Sequence, residues 1–429
     1  MKVSLPYGST QLTVEVPDNA TILRSRHTPA LPDEHAAFLA SLRSPIGGAP
    51  LTQLVQPDDR IAIVISDITR PTPNHLMVPW LLEALAHIPR SQFVILNGTG
   101  SHRANTREEL IQMLGEDIVE TVEIINHDAF DPETLHFLGE TRSGVPVWIN
   151  RRYMEANFRI VTGFIEPHFF AGFSGGAKGV IPGLAGLQTI QALHNAPLIG
   201  HPRSTWAVLD GNPVQQGIQD AVSLCPPDFM VNVTLDQERH ITGVYSGHYI
   251  QAHYAGCEMV ARTATQAVDA PFDIVITSNN GYPLDQNLYQ SVKGMTAAAQ
   301  IVHQGGAIVT VAECRDGLPN HGSYKTILQM RETPAALLDL INDPSFLMHD
   351  QWQVQKQALV HLQADVYLHS SLPADVVQSA KLLPAPDLQA TIDRLLQQFG
   401  PEARVAVLPE GPVMVPYIAE HSQEVSQAV

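Results

Sequence analysis

The apolar positions of this chain change period as it is read. The opening segment alternates polar and apolar residues around Tyr7-Gly8-Ser9, as a hairpin with one buried face does. After Pro57 the alternation stops. Ile61-Ala62-Ile63-Val64-Ile65 is a continuous apolar run, the pattern of a strand covered on both faces. Similar runs recur at Phe93 to Leu96, Ile160 to Phe164, Ile274 to Ile276, Ala307 to Val311, Val366 to His369 and Val405 to Leu408. Helical segments separate them. Thr72-Pro73 reads as an N-cap followed by proline at the first helical position, opening a helix from His75 to Ile88. Thr106-Arg107-Glu108-Glu109 fits a capping box, with Gly115 closing that helix. Leu187 to His194 reads as a short helix, and Asn287 to Val302 has helical period.

Strands alternating with helices predict an α/β fold with mainly parallel sheets flanked by helices. A length of 429 residues exceeds one ordinary core and predicts two domains. The division is expected at 1–268 and 269–429, because Pro271-Phe272-Asp273 opens a new strand series. The last segment can return to pack on the first domain. No fixed-period repeat or low-complexity tract is visible.

Open α/β sheets bind ligands beyond the carboxyl ends of their strands. The polar residues that follow the apolar runs are therefore the candidates. They are Asp67-Ile68-Thr69-Arg70, Gly98-Thr99-Gly100-Ser101-His102-Arg103, Glu166-Pro167-His168, and the glycine-rich stretch from Gly172 through Lys178 to Gly186. Each has a plainer reading. Asp67 to Arg70 fits turn chemistry with a surface ion pair. His102 and His168 are two of 19 histidines, though their residue type suits acid–base work near neutrality. Lys178 is not in a phosphate-binding Walker loop, since Ala177 precedes it and Gly179 stands where a Ser or Thr would hold magnesium. His194 is either a metal ligand or a histidine complementing a helix end. On the helix from Asn287, Tyr289, Gln290 and Lys293 share one turn, which fits a binding face or an amphipathic surface. Trp352 is a core anchor or a pocket wall.

Composition narrows the classes. The hydrophobic share of 44% is that of a globular chain. A net charge of −18 argues against nucleic acid as a partner. It also works against a small anion, which would need a local cluster of cations. Cys225, Cys257 and Cys314 are far apart and predict neither a zinc site nor a disulfide framework. The first residues carry no apolar signal core and no run reaches membrane-spanning length, so a cytoplasmic protein with no membrane partner is expected.

Together these clusters resemble the lactate racemase family. The resemblance is carried by Asp67-Ile68-Thr69-Arg70-Pro71, Gly98-Thr99-Gly100-Ser101-His102-Arg103, Glu166-Pro167-His168, Ser174-Gly175-Gly176-Ala177-Lys178, His194, Tyr289-Gln290-Ser291-Val292-Lys293-Gly294-Met295 and Gln351-Trp352-Gln353. It implies a racemase or epimerase of a short 2-hydroxy acid, lactate first and malate, another hydroxy acid or a sugar acid such as gluconate after it. It implies a nickel-pincer nucleotide cofactor, made by separate biosynthetic enzymes and attached covalently at Lys178, with His194 as the protein ligand of Ni2+. Asp67, Ile68, Thr69, Arg70 and Pro182 would also hold the cofactor. His102 and His168 would be the paired acid–base residues. Arg70, Tyr289, Gln290, Lys293 and Trp352 would contact the small anionic substrate in the cleft between a cofactor-binding and a closing domain. Rival readings are a metal-free proton-transfer epimerase, a two-domain hydroxy acid binding protein and a phosphate-loop enzyme.

Overall fold

The computed structural model describes residues 1–26, 28–319 and 322–419. Two six-stranded sheets form its frame. In the first, the order is Ile241–Gly247, Phe229–Leu235, Phe158–Phe164, Ile61–Ser66, Phe93–Gly98 and Glu123–Asn126. All its pairings are parallel except that of Ile241–Gly247 with Phe229–Leu235. The second runs Leu383–Pro384, Ala364–His369, Val302–Val311, Phe272–Ser278, Val405–Leu408 and Thr21–Ile22, all parallel.

The continuous apolar run at Ile61 has the expected cause. Side chains alternate across a sheet. Ile61, Ile63 and Ile65 pack on one face with Met77, Leu81 and Phe38. Ala62 and Val64 pack on the other with Val180 and Ile181. Both faces are covered, so neither set can be polar.

The capping box at Thr106 and Glu109 is formed, and Gly115 caps that helix at a φ of 86°. The helix after Thr72 starts one residue later than the N-cap reading placed it. It spans Asn74–Ala84 with Pro73 at the cap position, because the Thr72 hydroxyl is engaged by Ser66 Oγ at 2.6 Å. The helix after Asn287 spans Leu288–Ala298, shorter than its periodicity predicts. Val302 already belongs to the next strand, so the apolar residues at the end of that run serve the sheet.

The hairpin of Lys2–Tyr7 and Thr10–Glu15 forms as expected. Its apolar face, Val3, Leu5 and Val14, packs on Ile274, Ile276 and Val407 of the second sheet. The opening residues thus lie with the second sheet before the chain enters the first. Near the other end, Val415–Ile418 pairs with Thr265–Val268. The proposed division after residue 268 falls between that short strand and Phe272–Ser278.

Ile63 is fully buried in the centre of the first sheet. Ile63→Ala is expected to lower unfolding free energy by about 2–5 kcal/mol, read from the urea midpoint at unchanged slope. A loss below about 0.5 kcal/mol would contradict its central place.

Candidate functional site

The site grows from the carboxyl ends of the first sheet's strands. After Ser66 the chain turns, and the turn is held by Asp67. Its Oδ1 accepts from the Thr69 amide at 3.1 Å and the Thr69 hydroxyl at 2.5 Å. Its Oδ2 lies 2.6 Å from Nδ1 of His102, which follows the neighbouring strand Phe93–Gly98. Burial raises the Asp67 carboxyl, but the His102 hydrogen bond and charge, with Arg70 and Thr69, outweigh it and hold it below the usual range. A neutral ring in this contact carries its proton on Nδ1, facing the carboxylate, and leaves Nε2 as an acceptor. The Asp67 side chain is 4% exposed and that of His102 is 46% exposed, so the ring presents its free edge outward.

His168 is oriented the opposite way. Its Nδ1 accepts from the amides of Ala171 at 3.3 Å and Phe170 at 3.5 Å. In the neutral ring the proton then sits on Nε2. Burial pushes its pKa well below the usual histidine value, and the charges of Lys178, Lys293, Arg70 and His194 push the same way.

Those charges form the local cation cluster that the net charge demanded. Lys178 lies in a tight turn, Gly176–Gly179, entered through Gly175 at a φ of 77°. Its amine is held well below the usual lysine range by burial, with Arg70 and Lys293 adding repulsion and Glu166 opposing them. Lys293 is lowered to about 8 by burial and Arg70, again with Glu166 opposing. Glu166 is itself raised by burial, partly offset by Lys293, Arg70 and Lys178.

His194 caps the helix Leu187–Leu193 and is buried. Its Nδ1 donates to the Ile190 carbonyl at 2.7 Å. Burial lowers its pKa to about 4, so the ring is neutral with Nε2 unprotonated, the state a metal ligand requires. Trp352 is buried in the main core with its ring 4.9 Å from that of His194. Tyr289 donates to Asp350 at 3.4 Å, and burial raises its phenol. Gln290 and Lys293 are half-buried on the same helix. Pro182, Ile68 and Gln290 have less defined surroundings. Pro182 is half-buried in the turn after Lys178, and Ile68 packs at the edge of the first core.

Several contributors escaped the sequence reading. Asn232 Oδ1 accepts from the Gly176 amide at 2.7 Å, and His253 donates to the Ser174 carbonyl at 2.8 Å. Both brace the Lys178 turn from behind. A β-carbon on Gly176 would meet the His253 ring at 2.6 Å, so glycine is required there. Glu166 was visible only as part of a motif.

Among the described residues, the group of His, Cys, Asp and Glu that converges as metal ligands is Asp236, Glu238 and His240, on a largely exposed turn. His194 has no such companions, so a metal there must bring its other donors with it. A surface groove of about 540 Å3, lined by Pro79, Leu82 and Arg90 among others, holds none of these residues.

Residues 7–207 match the lactate racemase N-terminal domain and residues 267–415 the lactate racemase C-terminal domain. The lactate racemase of Thermoanaerobacterium thermosaccharolyticum is 36% identical over 417 residues, 95% of this chain and 97% of that one. That of Lactiplantibacillus plantarum is 35% identical over 420 residues, 95% and 98%. The structure of the T. thermosaccharolyticum lactate racemase apoprotein superposes with a TM-score of 0.91 over 97% of this chain and all of that one. A Thermotoga maritima protein, 20% identical with a TM-score of 0.70, covers 91% of this chain and 100% of its own; it shares the fold. No helix among the described residues is long and apolar enough to cross a membrane.

The Lys293 ammonium is retained below pH 8 and lost above it, so its pull on an anion fades as pH rises. A bound carboxylate favours the ammonium and moves that loss upward. Acetate binding, measured by calorimetry, is expected to weaken several-fold between about pH 7 and 10. Lys293→Arg, which stays charged, is expected to remove most of that fall; an identical fall would assign it to another group.

Proposed function

Because the chain belongs to the lactate racemase family, we propose that it interconverts the enantiomers of a short 2-hydroxy acid, lactate first. The observation that carries this reading is the enclosure of Arg70, Lys178 and Lys293 with two oppositely oriented histidines and a neutral His194.

The residues fit a nickel-pincer nucleotide. Lys178 offers an amine with a depressed pKa for covalent attachment, and His194 offers Nε2 to nickel held otherwise by the group's own donors. Asp67, Ile68, Thr69, Arg70 and Pro182 are the further residues proposed to hold it. When bound, the group supplies a carbon centre that takes hydride from Cα and returns it.

The rest falls to the chain. Arg70 and Lys293 hold the substrate carboxylate, with Gln290, Tyr289 and Trp352 shaping the pocket. For one enantiomer His102 Nε2 accepts the hydroxyl proton, and Asp67 stabilises the resulting imidazolium. His168 serves the opposite hydroxyl orientation, and inversion needs it to carry a second proton. Burial opposes that proton most, and the charges of Lys178, Lys293, Arg70 and His194 add to it. Attachment through Lys178 removes one of these charges, and the substrate carboxylate counters those of Lys293 and Arg70. Loading the site thus relieves the charge part of that depression. Its Nδ1 contacts, at 3.3 and 3.5 Å, are long and yield when Nδ1 takes the proton.

The cytoplasm and supply by separate cofactor-making enzymes are part of the same proposal. The depressed amine of Lys178 also fits a second reading, a proton-transfer epimerase in which it abstracts the Cα proton. Protein co-produced with the cofactor pathway separates the two. In deuterated water with single enantiomers of lactate, malate, 2-hydroxybutyrate and gluconate, inversion of lactate without deuterium at Cα is expected. Deuterium at Cα would favour the second reading, and no inversion of any acid would remove the racemase assignment.

Two variants test the attachment. Lys178→Ala is expected to lose the adduct from the intact mass. His194→Ala is expected to keep the adduct and lose nickel by elemental analysis. If His102→Ala loses the nickel instead, the ligand and the base are exchanged.

A further inference from the structure

A third histidine reaches the loop that carries His102, and it comes from the other side of the cleft. His349 precedes the helix Gln351–Gln363, whose Trp352 stands against His194. Its Nε2 lies 2.9 Å from Oγ of Ser101, 248 residues away and adjacent to His102. The His349 ring meets Trp352 edge-on at 5.2 Å and Phe130 of the first domain at 6.3 Å. Its Nδ1 is 3.4 Å from Asp350 Oδ2. Asp350 also accepts from the Ser323 amide at 3.1 Å and from Tyr289.

Other polar contacts across the cleft lie away from the reacting loop. Gln355 donates to the Ala196 carbonyl at 2.8 Å and Lys356 to the Ser204 carbonyl at 2.7 Å. Both stay on the side where this helix leans on Ala196–Gly200. Among the described residues, His349 makes the side-chain hydrogen bond that joins the second domain to the His102 loop.

We infer that His349 is a positioning residue, a latch whose bond to Ser101 fixes the His102 loop only when the two domains are closed. The inference rests on the racemase reading for its effect on rate, but the latch itself does not. The latch needs no particular protonation state. A neutral His349 with Nδ1–H towards Asp350 accepts from the Ser101 hydroxyl, and a charged one donates to the same oxygen. The contact with Trp352 ties closure to the wall beside His194. One residue thereby aligns the base and the proposed metal ligand with the substrate-binding helix, and small misplacements of such groups are costly.

The test uses cofactor-loaded protein with His349→Ala, Ser101→Ala, both together, and His349→Gln. With adduct mass and nickel content unchanged, His349→Ala is expected to lower kcat roughly tenfold with a smaller change in KM. Ser101→Ala is expected to add little in the His349→Ala background, because both remove one bond. His349→Gln, whose amide can still meet Ser101, is expected to recover part of the rate. Independently of activity, amide exchange in residues 98–103 is expected to quicken in His349→Ala. Additive effects of the two alanines, or exchange unchanged by His349→Ala, would overturn the latch. If the wild type inverts no hydroxy acid, the racemase reading falls and the exchange result still decides the latch.

Discussion

Three basic groups share one partly enclosed space, and they cannot all keep their protons at ordinary cost. Arg70 retains its charge, because a guanidinium does not yield a proton near neutrality. Lys293 is drawn down to about 8, and Lys178 is held well below its usual range. Glu166 counters the repulsion and is itself held back by burial. The depressed Lys178, Lys293 and His168 follow from burial first and from this crowding second. It also resolves the chain's overall charge. A net charge of −18 is screened over about 8 Å, while an anion in the proposed site would meet the cations at contact distance.

The parallel sheet makes that crowding possible. Strands Ile61–Ser66, Phe93–Gly98 and Phe158–Phe164 are neighbours running one way, so their following loops emerge at one edge. Asp67, His102 and His168 arrive there from three different loops. What each histidine can do is then set by the partner of its other nitrogen. Asp67 leaves His102 an accepting Nε2, two amides leave His168 a donating one, and the Ile190 carbonyl leaves His194 an unprotonated one. Three identical side chains thus divide into two tautomers by their backing, Nδ1–H for His102 and His194 and Nε2–H for His168.

This explains what could be read from the sequence and what could not. The run from Ile61 to Ile65 was legible because both its faces are apolar. Phe229–Leu235 was passed over because Asn232 and Thr234 interrupt it, yet Asn232 is fully buried and faces the Lys178 turn. A polar residue placed for a site erases the pattern that announces its strand. Thr21–Ile22 is too short for any period to mark, although it completes the second sheet. The motifs identified the family but carried no tautomers, because Asp67 and His102 meet across 35 residues and Ser101 and His349 across 248. Glu166 could be quoted beside His168 without a role, since its role is a charge balance among residues from distant segments.

The two histidines differ in one further respect that bears on why the fold has two parts. His168 lies among Phe169, Phe170 and the cation cluster, whereas the His102 side chain is 46% exposed. An exposed base exchanges its proton with water, which would separate the two directions of inversion. Enclosing it from the first domain alone would close the entrance that the substrate needs. In the proposed reaction the second domain bounds the other side of the cleft through Trp352, Tyr289 and His349, which stand beside His194, Asp350 and Ser101 respectively.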